Sequence, residues 1–102
     1  MLSSISENSS GVSGQAQLRK EAGLWLRARR SELGLSQREL ALRVNMEYYT
    51  FISQIEAGRG RIPADKMRDW SRALEMEPKE FALTLMKYYD PHTFEMVFGE
   101  SQ

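Results

Sequence analysis

An all-α fold of five helices is predicted by three observations in the 102-residue sequence. From about Leu18 to Tyr88 apolar residues recur at helical spacing. The stretches between them carry helix start and stop residues. Only the last stretch, "PHTFEMVFGESQ", is ambiguous, because Phe94, Met96 and Phe98 alternate as a strand would. The chain is long enough for one small domain and too short for two, and it has no internal repeat.

Residues 1–17, "MLSSISENSSGVSGQAQ", hold six serines and few large apolar groups. Such a segment cannot bury enough surface to offset its ordering entropy, so a flexible tail is expected. The first helix then runs to about Leu33, with Ala22, Leu26, Arg30 and Leu33 on one face and Gly34 as a left-handed stop. The second begins at Ser36, where Glu39 completes a Ser-x-x-Glu capping box. It turns Leu40, Ala41 and Val44 inward and ends near Asn45, a residue that tolerates the left-handed conformation. The third spans about Tyr48 to Ala57, with Ile52 and Ile55 inward and Gly58 ending it. Pro63 suits the first turn of a fourth helix, whose inward stripe is Met67, Trp70 and Leu74. The fifth starts near Pro78, carries Phe81, Leu85 and Tyr88 inward, and stops before Pro91. Residues 18–89 thus form the domain, and 90–102 a short C-terminal extension.

Composition narrows the function classes. There is no cysteine, so neither a disulfide framework nor a thiolate metal site is available, and the single histidine, His92, cannot build a zinc site alone. No apolar run approaches membrane-spanning length and no secretory signal is visible, so the expectation is a soluble cytoplasmic protein. Net charge is zero, yet residues 19–61 carry +4 and the remainder −4. A chain divided in this way can present a basic face to a polyanion. No histidine–carboxylate pairing, thiol, metal cluster or phosphate-cradling loop before a strand is present, so an enzyme is not expected, nor a cofactor. "GRGR" at 58–61 follows a helix, which makes its likeness to a phosphate loop superficial.

Two short helices joined by a tight turn, with the small Ala41 at their crossing, make a helix-turn-helix unit. The stretch "GLSQRELALRVNMEYYTFISQIEAGRGRIP", residues 34–63, goes further. It resembles the Cro/cI-like domain of the xenobiotic-response-element family, a lambda-repressor-like helix-turn-helix fold. The resemblance is carried by Leu35-Ser36-Gln37, Glu39-Leu40-Ala41, Val44, Ile52-Ser53, Ile55-Glu56 and Gly58, with "RALEMEPKEF" at 72–81 as the link between helices four and five. It covers roughly Leu18 to Tyr88. Two departures stand out: Asn45 occupies the family's usual turn glycine, and Val44 to Ile52 is one residue longer than the common spacing. The extra residue falls within Met46–Tyr49, leaving base-contact assignments open by one position.

The resemblance implies a sequence-specific regulator that places its third helix in the DNA major groove. Tyr48, Tyr49, Thr50, Ser53 and Gln54 are then the base-facing candidates, with Gln54 suited to adenine and Thr50 to a thymine methyl. Two readings of Tyr48 stand, one facing DNA and one packed inward with Phe51. Gln37, Arg38, Arg59 and Arg61 are the phosphate-facing candidates, with Gly58 and Gly60 letting the backbone come close. Arg43 reads instead as a helix C-terminal charge. The family pairing of an arginine on helix one with the glutamate after the recognition helix falls on Arg30 and Glu56, and implies a partly buried ion pair. A twofold dimer on a near-palindromic site is implied as well. Leu83, Met86, Phe94, Met96, Val97 and Phe98 are the apolar candidates for that contact. The alternative for the C-terminal residues is that they fold back and seal the core. A different class of function is a protein-interaction module, such as a DNA-binding antitoxin or a co-regulator working with another protein or RNA polymerase. No small-molecule domain is visible.

Overall fold

The structure, a computed structural model, describes residues 2–99, with side chains described from residue 14 to residue 99. Among the described residues it is all-helical: α1 (Leu2–Glu32), α2 (Gln37–Arg43), α3 (Thr50–Glu56), a 3₁₀ turn (Ala64–Lys66) leading into α4 (Met67–Ala73), α5 (Pro78–Tyr89) and α6 (Pro91–Phe98). Residues 2–17, expected as part of a flexible tail ahead of a helix starting near Leu18, are instead helical and continue α1 towards the N-terminus, with side chains described only from residue 14. The first buried core residue of α1 is Ala22.

The helical stripes read from the sequence converge on one core. Ala22 and Leu26 from α1 meet Leu40, Ala41 and Val44 from α2, Ile52 and Ile55 from α3, Trp70, Ala73 and Leu74 at α4, and Phe81 and Leu85 from α5. Burying each larger side chain stabilises the fold by roughly 1.5–3 kcal/mol relative to leaving it in water. Trp25 covers the edge of this core, its ring centroid 5.7 Å from that of Phe81. Ile62 is fully buried and pins the segment after α3, an anchor that the helical pattern did not reveal because Ile62 lies outside any helix.

Four residues stop helices in the left-handed region: Gly34 (φ 70), Asn45 (φ 55), Gly58 (φ 80) and Glu75 (φ 56). The first three match the expected stops. Glu75 follows α4, whose last carbonyls are met by arginines from elsewhere in the chain. Arg29 Nε donates to the Leu74 carbonyl at 2.8 Å, Arg29 Nη2 to the Glu75 carbonyl at 3.1 Å, and Arg43 Nη1 to the Ala73 carbonyl at 3.4 Å. Cationic donors there satisfy orphan acceptors and oppose the negative helix end. Arg43 is therefore a C-terminal charge for α4 as well as for its own helix.

Beyond the earlier start of α1, the structure differs from expectation in four places. α3 begins at Thr50, not near Tyr48. The residue before it, Tyr49, has no side-chain oxygen within reach of the first amides, so no cap extends the helix backwards. Pro63 stands just outside the 3₁₀ turn with ψ 143, not in the first turn of α4. At the end of α5 the core residue is Tyr89, with Tyr88 only half-buried. Residues 91–98 form a helix instead of a strand: Pro91 is preset for a first helical position, and Phe94 and Phe98 meet at i, i+4 with ring centroids 5.1 Å apart.

Candidate nucleic-acid interface

The geometry of the site starts where α1 passes α3. Gly23 is mid-helix, and a Cβ there would lie 2.1 Å from the Glu56 carbonyl oxygen. At Gly58 a Cβ would lie 2.9 Å from the Lys20 Cα, and the positive φ there also disfavours any side chain. These two glycines bring the backbones of α1 and α3 almost into contact.

Charge then fixes what shape permits. Arg30 Nε donates to Glu56 Oε2 at 2.7 Å and Arg30 Nη2 to Oε1 at 3.0 Å, while Arg30 Nη1 donates to the Leu35 carbonyl at 2.7 Å. Gln37 Nε2 adds a third bond to Glu56 Oε1, at 3.0 Å. The Arg30 and Glu56 side chains are only 12% and 4% exposed, so the carboxylate is shielded from water but fully partnered. One cluster thus joins α1, the start of α2 and the end of α3. Gln37, expected at a phosphate, gives one of its two amide N–H donors to this cluster.

At the start of α2 the capping box is complete. The Ser36 hydroxyl accepts from the Glu39 amide at 3.0 Å, and Glu39 Oε1 accepts from the Ser36 amide at 2.8 Å. Hydrogen bonding to Ser36, the backbone first and the side chain second, holds the Glu39 carboxyl below its ordinary range. After α2, the amide of Met46 donates to the Ala41 carbonyl at 2.9 Å across the left-handed Asn45, closing the turn.

The longer connection to α3 leaves its aromatics in solvent. Tyr48 is 56% exposed, Tyr49 40% and Phe51 50%. Tyr48 does face Phe51, with ring centroids 6.2 Å apart, but the pair sits outside the core, so the inward reading of Tyr48 is overturned. The Arg38 guanidinium lies 4.5 Å over the Tyr49 ring, which ties α2 to the entrance of α3. Thr50 and Gln54 are exposed and Ser53 is half-buried. All five base-facing candidates therefore lie at or near the solvent side of one short element whose opposite side is Ile52, Ile55 and Glu56.

Beyond α3, the Arg59 amide donates to the Gln54 carbonyl at 2.9 Å, and the Arg59 side chain is exposed. Arg61 is engaged: Nη2 lies 3.2 Å from Asp90 Oδ2 and Nη1 3.4 Å from Oδ1, with the guanidinium 4.5 Å over the Tyr89 ring. The Tyr89 hydroxyl in turn accepts from the Ile62 amide at 3.3 Å. Burial pushes the Tyr89 hydroxyl above its ordinary pKa, partly opposed by the Ile62 hydrogen bond and the Arg61 charge.

A helix-turn-helix family model matches residues 26–81, more than half of the chain and the whole of α2, α3 and α4. The chain belongs to the Cro/cI-like helix-turn-helix family. No curated protein is similar enough to it to count as a relative. The family is one of DNA-binding transcription regulators and not of enzymes, which makes DNA the partner of this chain. No helix among the described residues is long and apolar enough to cross a membrane.

Three contributors to this site escaped the sequence reading. Gly23 had a signal, since a glycine inside a strong helical pattern marks a close approach. Tyr89 and Asp90 had none, because their partners Ile62 and Arg61 lie 27 and 29 residues away.

Proposed function

We propose that this regulator reads double-stranded DNA with α3 in the major groove, as a homodimer on a near-palindromic site. Support comes chiefly from the Arg30–Glu56–Gln37 cluster, which locks α3 in place while its other side stays in solvent. Thr50, Gln54 and Ser53 meet base edges, and Tyr48 and Tyr49 lie along the groove at the entrance of the helix. Arg38 and Arg59 contact phosphates, with Gln37 near one through its end of α2, and Arg61 completes the backbone contacts. A locked helix is what direct readout needs, because a bidentate base contact tolerates little displacement.

The dimer forms through α5 and α6. On α6 no residue is buried, and Met96, Val97 and Phe98 are 86%, 63% and 49% exposed. Together with Phe94 and the half-buried Leu83 and Met86, they offer an apolar surface that a second copy covers symmetrically. Half-sites would then lie about 10 base pairs apart, one turn of DNA. The protein works in the cytoplasm, on the nucleoid.

The test is a footprint on the DNA preceding the protein's own operon at two salt concentrations, with sedimentation of the intact chain and of one lacking residues 91–102. A protected palindrome with a steep salt dependence, and a dimer that is lost on truncation, are expected. No protected site at either salt sinks the DNA-readout reading and turns attention to an interaction module that exposes α6 to another protein. A truncated chain that remains dimeric removes α6 from the interface.

A further inference from the structure

Asp90 belongs to two helices at once. Its amide donates to the Met86 carbonyl at 2.8 Å and closes α5, and its carbonyl accepts from Phe94 at 2.9 Å and opens α6. It is the N-cap residue of α6, followed by Pro91. An aspartate in this position ordinarily accepts a hydrogen bond from the second or third helical amide, here His92 or Thr93. The Asp90 carboxylate makes no such bond. It turns instead to Arg61, in the segment that follows the recognition helix.

We infer that Asp90 competes with DNA phosphate for Arg61, and that a phosphate capturing Arg61 releases Asp90 to cap α6. This rests on the reading of Arg61 as a phosphate contact. The pair is suited to exchange: its side chains are 37% and 45% exposed, so water and salt screen it and it is weakly held. Phosphate offers the guanidinium the same planar, two-pronged match that the carboxylate does. The displaced carboxylate is not stranded, because the uncapped amides of His92 and Thr93 are the next donors along the chain. Tyr89 keeps the Arg61 stem in place through the exchange, since its ring underlies the guanidinium and its hydroxyl holds the Ile62 amide. Asp90 thereby lowers DNA affinity in the free protein and makes α6, with its exposed Met96 and Val97, firmer on DNA than off it.

The full chain is tested with a mixed-sequence duplex of about three helical turns at low salt, since phosphate contacts are sequence-independent. Affinity comes from fluorescence anisotropy and α6 protection from hydrogen exchange. Asp90→Asn keeps a capping oxygen but removes the charge. It is expected to bind about two- to fivefold tighter, the factor by which an exposed ion pair biases an equilibrium. Arg61→Gln is expected to bind more weakly, with a salt slope lower by about 0.9. In the Arg61→Gln background, Asp90→Asn is expected to change nothing. DNA is expected to slow exchange at the His92 and Thr93 amides of the wild type, and those amides are already slowed in free Asp90→Asn. If Asp90→Asn melts early, Asp90→Ser, a second neutral cap, takes its place. Arg61→Gln with unchanged affinity and slope refutes the phosphate reading of Arg61 itself. Arg61→Gln that weakens binding, beside an Asp90→Asn that does not tighten it, overturns the exchange. So does a gain that persists without Arg61, because that is only the removal of a negative charge.

Discussion

Arg30–Glu56 and Arg61–Asp90 flank α3 as two bidentate arginine–carboxylate pairs, and they differ in how much water reaches them. The first has side chains 12% and 4% exposed and is reinforced by the Leu35 carbonyl and Gln37; the second has side chains 37% and 45% exposed. A pair sealed from water cannot lose one member without leaving a buried, uncompensated charge. A pair wetted on both members loses little when a partner is replaced. One chemistry therefore gives a fixed angle to α3 on the α1 side and an exchangeable grip on the segment after it.

The largest expected effect breaks the fixed side. Glu56→Ala should cost about 3–5 kcal/mol in thermal or denaturant unfolding, because Arg30 is left buried without its carboxylate and Gln37 loses its acceptor. A melting temperature equal to the wild type's would mean that the cluster does not hold α3. Gly23→Ala asks whether shape matters there as well as charge. A methyl group 2.1 Å from the Glu56 carbonyl must push α1 and α3 apart, at roughly 1–3 kcal/mol. Unchanged stability with unchanged DNA affinity would show the approach to be looser than it looks.

The smallest effect concerns the exchangeable side. Tyr89→Phe removes the acceptor for the buried Ile62 amide, at about 1 kcal/mol or somewhat more. It also has a pH signature. Burial raises the Tyr89 pKa in the folded chain above that of the unfolded chain, so its stabilising contribution is complete below the ordinary tyrosine value of about 10. That contribution is lost as pH rises through the folded value. Unfolding measured across the alkaline range should therefore show a fall in wild type that is shallower in Tyr89→Phe. Equal falls in both proteins would assign the alkaline loss to another group.

The pattern of successes in the sequence follows from which interactions are local. The capping box, the left-handed stops at Gly34, Asn45 and Gly58, and the inward stripes depend on residues within a turn or two of one another. Hence Leu26, Leu40, Val44, Ile52, Trp70 and Phe81 could be placed in the core from spacing alone. Arg30 and Glu56 were legible for another reason: the family resemblance carried a pairing between residues 26 apart. The entrance to α3 was harder to place. The helix starts at Thr50, and Tyr48, Tyr49 and Phe51 stay in water, where apolar character would suggest burial.

The sequence by itself determined an all-helical domain, its breaks, its core stripes and the short segment that carries the candidate DNA contacts. The helices, breaks and stripes follow from backbone propensity and periodicity, which act over a few residues, and the candidate DNA contacts from the family resemblance. Only the tertiary structure decided that Gly23 lets α1 touch α3, that Arg29 and Arg43 finish α4, and that Asp90 faces Arg61 instead of capping its own helix. Each depends on where distant backbone segments come to rest, and in each a side chain chooses among partners that the linear order does not bring together.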